Sequence, residues 1–141
     1  MKKLLLIIPL FLLLCMPVQA KEPDIDKEDL ELIRCTCYTA KEGALTADGS
    51  KPIEGFIAGK REWLGYLCIM YENDNGKVGD LIGYFDFRDT GAGIDSDGDG
   101  KGDTIKNGKS VDVYRDSLDR CYDWVAQYGD YVYVKIIKAE G

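Results

Sequence analysis

The stretch from Gly83 to Tyr114 reads GYFDFRDTGAGIDSDGDGKGDTIKNGKSVDVY. It holds two short β-type runs with an acidic, glycine-rich insertion between them. In the first run Asp86 alternates with Phe85 and Phe87, so its side chain is expected on the opposite face of the strand from theirs. Val111 to Tyr114 is the second run. The first ends on Asp89 and the second carries Asp112. These two carboxylates are the candidate catalytic pair, and the rest of the chain is read as the barrel that brings them together.

Working outward, a helix is expected directly after Tyr114. Asp116 or Ser117 can cap it, Asp119 suits its first turn, Leu118, Cys121, Tyr122 and Val125 make an apolar stripe, and Gly129 closes it. Trp124, like Trp63 upstream, is expected to pack. Tyr131 to Lys138, YVYVKIIK, reads as a last strand. Upstream of Gly83, the segment from Lys77 to Arg88 predicts one long or two short strands, with Gly79 and Gly83 as bends or bulges. Asn73-Asp74-Asn75-Gly76 is a hairpin turn, because Asn-Gly supplies the positive φ values such a turn requires. Before it lie an apolar strand, Tyr66 to Tyr71, a tight connection GKREWLG ending on Gly65, and a short run, Phe56 to Ala58. Turn chemistry fills Gly43 to Pro52, and a first strand spans Arg34 to Ala40. Six or seven short strands with one late helix predict a mainly β fold, a small barrel in one domain covering residues 34–141. Residues 21–33, acidic and without a strong period, read as a leader.

Met1 to Ala20 has a basic start at Lys2 and Lys3, an apolar centre and small residues before position 21, the pattern of a secretory signal peptide. An extracytoplasmic protein without a membrane span is therefore expected. Removing that segment takes away two lysines and no acid, leaving 16 basic against 25 acidic residues and a net charge of −9. Such a balance argues against nucleic acid as a partner, since phosphate binding needs a basic face. The chain has no histidine. A Ser/His/Asp triad, a Cys/His pair and a histidine-ligated zinc site are thus excluded, and carboxylates, hydroxyls, lysines and thiols must carry any chemistry. Four cysteines follow the signal segment: Cys35, Cys37, Cys68 and Cys121. In an exported protein they predict one or two disulfides with three possible connectivities. A bridge between Cys35 and Cys37, on one face of one strand, is disfavoured.

The order of short motifs adds a resemblance. Y-T-A (Tyr38 to Ala40), T-A-D-G (Thr46 to Gly49), I-A (Ile57-Ala58), L-G (Leu64-Gly65), G-Y-F (Gly83 to Phe85), D-T-G (Asp89 to Gly91), D-V-Y (Asp112 to Tyr114) and Y-V-Y-V (Tyr131 to Val134) follow one another. Together they resemble the three-aspartate domain, a family grouped with the double-psi β-barrels of rare lipoprotein A and membrane-bound lytic transglycosylase A. The resemblance covers roughly residues 34–138. It implies a double-psi barrel that cleaves peptidoglycan glycan strands without water and leaves a 1,6-anhydro sugar, with no cofactor needed for the chemistry. Asp112 matches the general acid/base and Asp89 its neighbour. Thr46 and Tyr38 border the expected cleft as substrate-binding candidates.

Two departures from the family pattern stand out. Its first aspartate normally follows the I-A strand, where this chain has Gly59-Lys60-Arg61-Glu62-Trp63. Glu62 is the carboxylate of that segment and joins the substrate-binding candidates, and a non-catalytic barrel that binds glycan is the alternative expectation. The second departure is the insertion. Asp95, Asp97, Asp99 and Asp103 recur at alternate or near-alternate positions among glycines, as oxygen ligands for a hard cation would. The loop resembles the calcium loops of thrombospondin type 3 repeats more than an EF-hand, because Lys106 stands where a bidentate glutamate belongs. A plain acidic surface loop is the other expectation.

Overall fold

A computed structural model describes residues 26–140; the signal segment, residues 1–20, and the first five residues of the leader lie outside these. A single 3₁₀ turn, Lys27–Asp29, leads into β1 (Glu31–Tyr38). There follow β2 (Phe56–Gly59), a second 3₁₀ turn at Arg61–Trp63, β3 (Leu67–Asp74), β4 (Lys77–Thr90), β5 (Ser110–Tyr114), α1 (Leu118–Tyr128) and β6 (Tyr131–Ile137). The six strands close into one barrel in the order β1-β5-β2-β4-β3-β6. The pairs β1–β5 and β2–β4 are parallel and the other four antiparallel. Each parallel pair is joined through long connections, as parallel strands require.

Period-two alternation builds the interior. Ile33 and Cys35 of β1, Ile57 of β2, Cys68 and Met70 of β3, Phe85 and Phe87 of β4, Val111 and Val113 of β5, and Val132 and Val134 of β6 form one buried cluster. The β3–β4 hairpin turns at Asn75 and Gly76, both at positive φ, and the Gly76 N–H donates to Asn73 Oδ1 at 2.8 Å. β4 is one strand of 14 residues. It absorbs its curvature in register shifts opposite Met70 to Asn73, beside Gly79 and Gly83, as bulges do at barrel bends.

Two features differ from the sequence expectation. β1 starts at Glu31, inside the acidic leader, because β6 supplies an antiparallel ladder there, Glu31 opposite Val134 and Ile33 opposite Val132. On α1 the buried positions are Cys121 and Trp124, with Tyr128 packed beside them, while Leu118, Tyr122 and Val125 face outward. Both series have helical spacing; the larger aromatic surfaces of Trp124 and Tyr128 take the core side, where Trp124 meets the Phe85 ring edge-on with centroids 5.8 Å apart. Ser117 caps α1, accepting from the Arg120 N–H, and Gly129 ends it at φ 72°. A bidentate ion pair from Arg120 to Glu54 ties the helix to the turn before β2.

Candidate active site

A single row of residues runs across four adjacent strands on the outer face of the barrel. Thr36 of β1 stands opposite Asp112 of β5, Asp112 opposite Ala58 of β2, and Ala58 opposite Asp89 of β4. Directly opposed residues share a face, so the two aspartates flank the small side chain of Ala58. Their Cα atoms are two strand spacings apart, about 9–10 Å. Asp89 reaches this face through a bulge. Ile57 pairs with Phe87 but Ala58 pairs with Asp89, leaving Arg88 as the extra residue. Unbroken alternation from Phe85 and Phe87 would have sent Asp89 into the core.

The two carboxylates are held differently. Asp89 accepts three hydrogen bonds: from the Tyr38 hydroxyl to Oδ2, and from the Ala47 and Thr90 backbone N–H groups to Oδ1, each at 2.9 Å. Its orientation is therefore fixed. Burial and the Asp89 hydrogen bond push the Tyr38 phenol far above its ordinary range, so Tyr38 remains a donor at every relevant pH. Among the described residues Asp112 has one donor, Thr36 Oγ1, at 2.9 Å from Oδ1. Burial raises the Asp112 carboxyl from 3.8 to about 6; the Thr36 hydrogen bond opposes the rise and the Asp89 charge adds to it. The Thr36 hydroxyl also lies 3.3 Å from the Val111 carbonyl. Its single proton can turn to that carbonyl when Asp112 is protonated and back to Asp112 when it is ionised, so both states of the acid are accommodated.

Behind Asp89 a rigid turn supplies the Ala47 N–H. Thr46 is buried, and its hydroxyl donates to Asp48 Oδ1 at 2.5 Å. Asp48 also accepts from the Ser50 N–H at 3.0 Å, from the Ser50 hydroxyl, and from Arg88 at 3.2 Å. These hydrogen bonds hold the Asp48 carboxyl well below its usual range, Ser50 contributing most. Thr46 is therefore committed to the turn and Tyr38 to Asp89. Glu62 sits exposed on the 3₁₀ turn at Arg61–Trp63 and makes no hydrogen bond to any described group. Beside it Trp63 packs on Phe87, ring centroids 5.3 Å apart, with the Lys60 ammonium 5.0 Å from the Trp63 ring centre. Thr36 and Ala58 are site residues that the sequence reading missed. Thr36, set between Cys35 and Cys37, carries the alternation signal for the opposite face, but nothing local marks Asp112 as its partner.

The insertion between β4 and β5 is anchored at its base. The Asp103 and Thr104 N–H groups donate to the Ile94 carbonyl and the Ile105 N–H to that of Ala92, at 3.0 to 3.2 Å. Buried Thr104 accepts from the Ile94 N–H and from Ser110 Oγ, both at 2.8 Å, and Ile105 is buried. At the tip, Asp95, Asp97 and Asp99 offer carboxylate oxygens within 4.8 Å of one another. Asp103 is not among them: it accepts from the Ser96 hydroxyl at 2.7 Å. Both Asp95 oxygens accept backbone N–H bonds, Oδ1 from Asp97 and Gly98 and Oδ2 from Gly100, so the turn is satisfied by its own backbone.

A groove of ≈ 420 Å³ is lined by Lys41, Leu45, Lys51, Pro52 and Tyr114 among others; neither Asp89 nor Asp112 lines it. Among the described residues no helix is long and apolar enough to cross a membrane. Comparison with protein-family models, curated proteins and solved structures finds no match to this chain.

Proposed function

We propose that the barrel is an extracytoplasmic protein acting on peptidoglycan glycan strands, a lytic transglycosylase in reaction type, with Asp112 as its single acid/base. The observation that carries this reading is Asp112 itself, a half-buried carboxyl raised to about 6 and set beside the oriented Asp89 across Ala58. An acid with its midpoint near neutrality can protonate a glycosidic oxygen and then take up a proton as base. In the reaction proposed, Asp112 gives its proton to the bridging oxygen as the bond to the anomeric carbon breaks. The Asp89 carboxylate lends negative charge beside the cationic sugar. Asp112 then removes the proton from the sugar's own 6-hydroxyl, whose oxygen closes on the anomeric carbon. One carboxyl serves both steps and no water is consumed, whereas ordinary glycosidases use two carboxylates and a water.

The test is digestion of purified sacculi by the mature protein, with mass spectrometry of the soluble products. Fragments ending in 1,6-anhydro sugars are expected from the wild type and a loss of at least ~100-fold from Asp112→Asn. Release by Asp112→Asn at the wild-type rate overturns the assignment. Retention on sacculi with no release supports the binding-module alternative, which the absence of an aspartate at positions 59–63 favours. Calcium at Asp95, Asp97 and Asp99 is a separate proposal, supported by the hard-oxygen donor set. The cation would order the tip and offset repulsion among its carboxylates, and a melting temperature indifferent to calcium and to chelator counts against it.

A further inference from the structure

β1 and α1 meet along a short seam of sulfur and indole. Cys35 and Cys37 point to one side of β1, and α1 turns Cys121 and Trp124 towards them. The Trp124 indole N–H finds no oxygen partner and has the Cys35 sulfur as its neighbour. One step along the strand, the Cys37 and Cys121 Sγ atoms lie 2.9 Å apart. That is closer than two unbonded sulfurs comfortably sit and about 0.9 Å beyond a disulfide bond of about 2.05 Å. Cys35 and Cys68 are buried at 1% and 0% exposure, and the Cys35 thiol donates to the Thr36 carbonyl at 3.6 Å rather than to another sulfur. Burial raises the Cys35, Cys37 and Cys68 thiols alike, so it is the approach of the Cys37 and Cys121 sulfurs, and not thiol acidity, that singles out the pair.

We propose that Cys37 and Cys121 form a disulfide that staples α1 to β1, with Cys35 and Cys68 remaining thiols. Of the three two-bridge connectivities open from sequence it keeps one half of the pairing that joins Cys37 to Cys121 and Cys35 to Cys68, and it stands independently of the glycan reading. The oxidant is a disulfide, carried by a small molecule or a thiol oxidoreductase. One of the two cysteines attacks it as thiolate and forms a mixed disulfide; the other displaces the leaving thiol. Two protons and two electrons leave the pair, and the oxidant departs as two thiols. The staple also bears on the carboxylates. Cys37 lies between Thr36, which holds Asp112, and Tyr38, which holds Asp89, so the bond fixes the strand that supports both.

The experiment oxidises the full chain with a glutathione redox buffer, alkylates it in denaturant, digests it and maps the cysteines by mass spectrometry. Fragment ions separate Cys35 from Cys37, which share one tryptic peptide. The expected result is one cross-link, Cys37 to Cys121, with Cys15, Cys35 and Cys68 alkylated. Five alkylated cysteines, or a bridge through Cys35 or Cys68, overturns the proposal. The positions are 84 residues apart, so reduction should lower the melting temperature of the oxidised protein by on the order of 10–15 °C. In Cys121→Ser the reductant should change nothing; an equal drop there also overturns the assignment.

Discussion

Replacing Asp112 by asparagine should stabilise the protein, and should do so only where the native carboxyl is ionised. Folding raises this carboxyl from 3.8 to about 6. Between those values the native state binds more protons at this position than the unfolded chain, so stability falls as pH rises through the window. The destabilisation is absent below about pH 4 and complete above about pH 7. Each pH unit of displacement corresponds to about 1.4 kcal/mol, which gives a ceiling of about 3 kcal/mol and ~2 kcal/mol once access of water to the half-buried site is allowed for. Asparagine is nearly isosteric, can still accept from Thr36, and carries no charge. Urea unfolding of wild type and Asp112→Asn in parallel from pH 4 to 8 isolates the effect, because other titrating groups cancel in the difference. The expected difference is near zero at pH 4 and about 2 kcal/mol in favour of the variant at pH 8. A difference independent of pH, or a variant less stable at every pH, would refute the claim that burial and Asp89 load this carboxyl. Stability gained where function is lost is the usual mark of a group placed for chemistry.

Three further outcomes follow from the geometry. Tyr38→Phe removes one of three donors to Asp89 and keeps the ring packed edge-on to Tyr114 at 5.5 Å; urea unfolding should show a loss of about 1 kcal/mol. Ile105→Ala empties a buried position at the base of the insertion and should cost about 2–4 kcal/mol, with proteolytic cleavage appearing between residues 91 and 110. In contrast, Glu62→Gln, on an exposed turn without hydrogen-bond partners, should change stability by less than about 0.5 kcal/mol. Sacculus digestion by the same variant tests Glu62 as a substrate contact: an unchanged rate removes it from that role and a large loss assigns it.

The strands were legible where local pattern and packing agree. The Asn-Gly turn, the apolar run of β3 and the V-D-V-Y alternation of β5 each state their structure in a few residues. The site was legible only in part. Asp112 is marked by its place between Val111 and Val113, but Asp89 has the parity of Phe85 and Phe87 and reaches the outer face only through the bulge at Arg88. A bulge depends on what the neighbouring strand demands, and no local pattern in β4 announces it. Thr36 and Asp112 are 76 residues apart, and their parallel pairing is set by closure of the whole barrel. The early start of β1 has the same origin. An acidic leader becomes strand because β6 offers a ladder, a tertiary influence that local propensity does not carry. The polar turn from Gly43 to Pro52 reads as turn from composition alone, yet its role in presenting the Ala47 N–H to Asp89 depends on the hydrogen bonds that Thr46, Ser50 and Arg88 make to Asp48.

Direct titration of the Asp112 side-chain carboxyl by carbon-13 NMR, in wild type and in Asp89→Asn, goes to the centre of the proposal that this barrel face makes a proton carrier. A wild-type midpoint near 6 that moves to lower pH in Asp89→Asn is expected, since the asparagine removes the neighbouring charge and leaves the burial. A wild-type midpoint at the ordinary 3.8, or one that Asp89→Asn leaves in place, contradicts it.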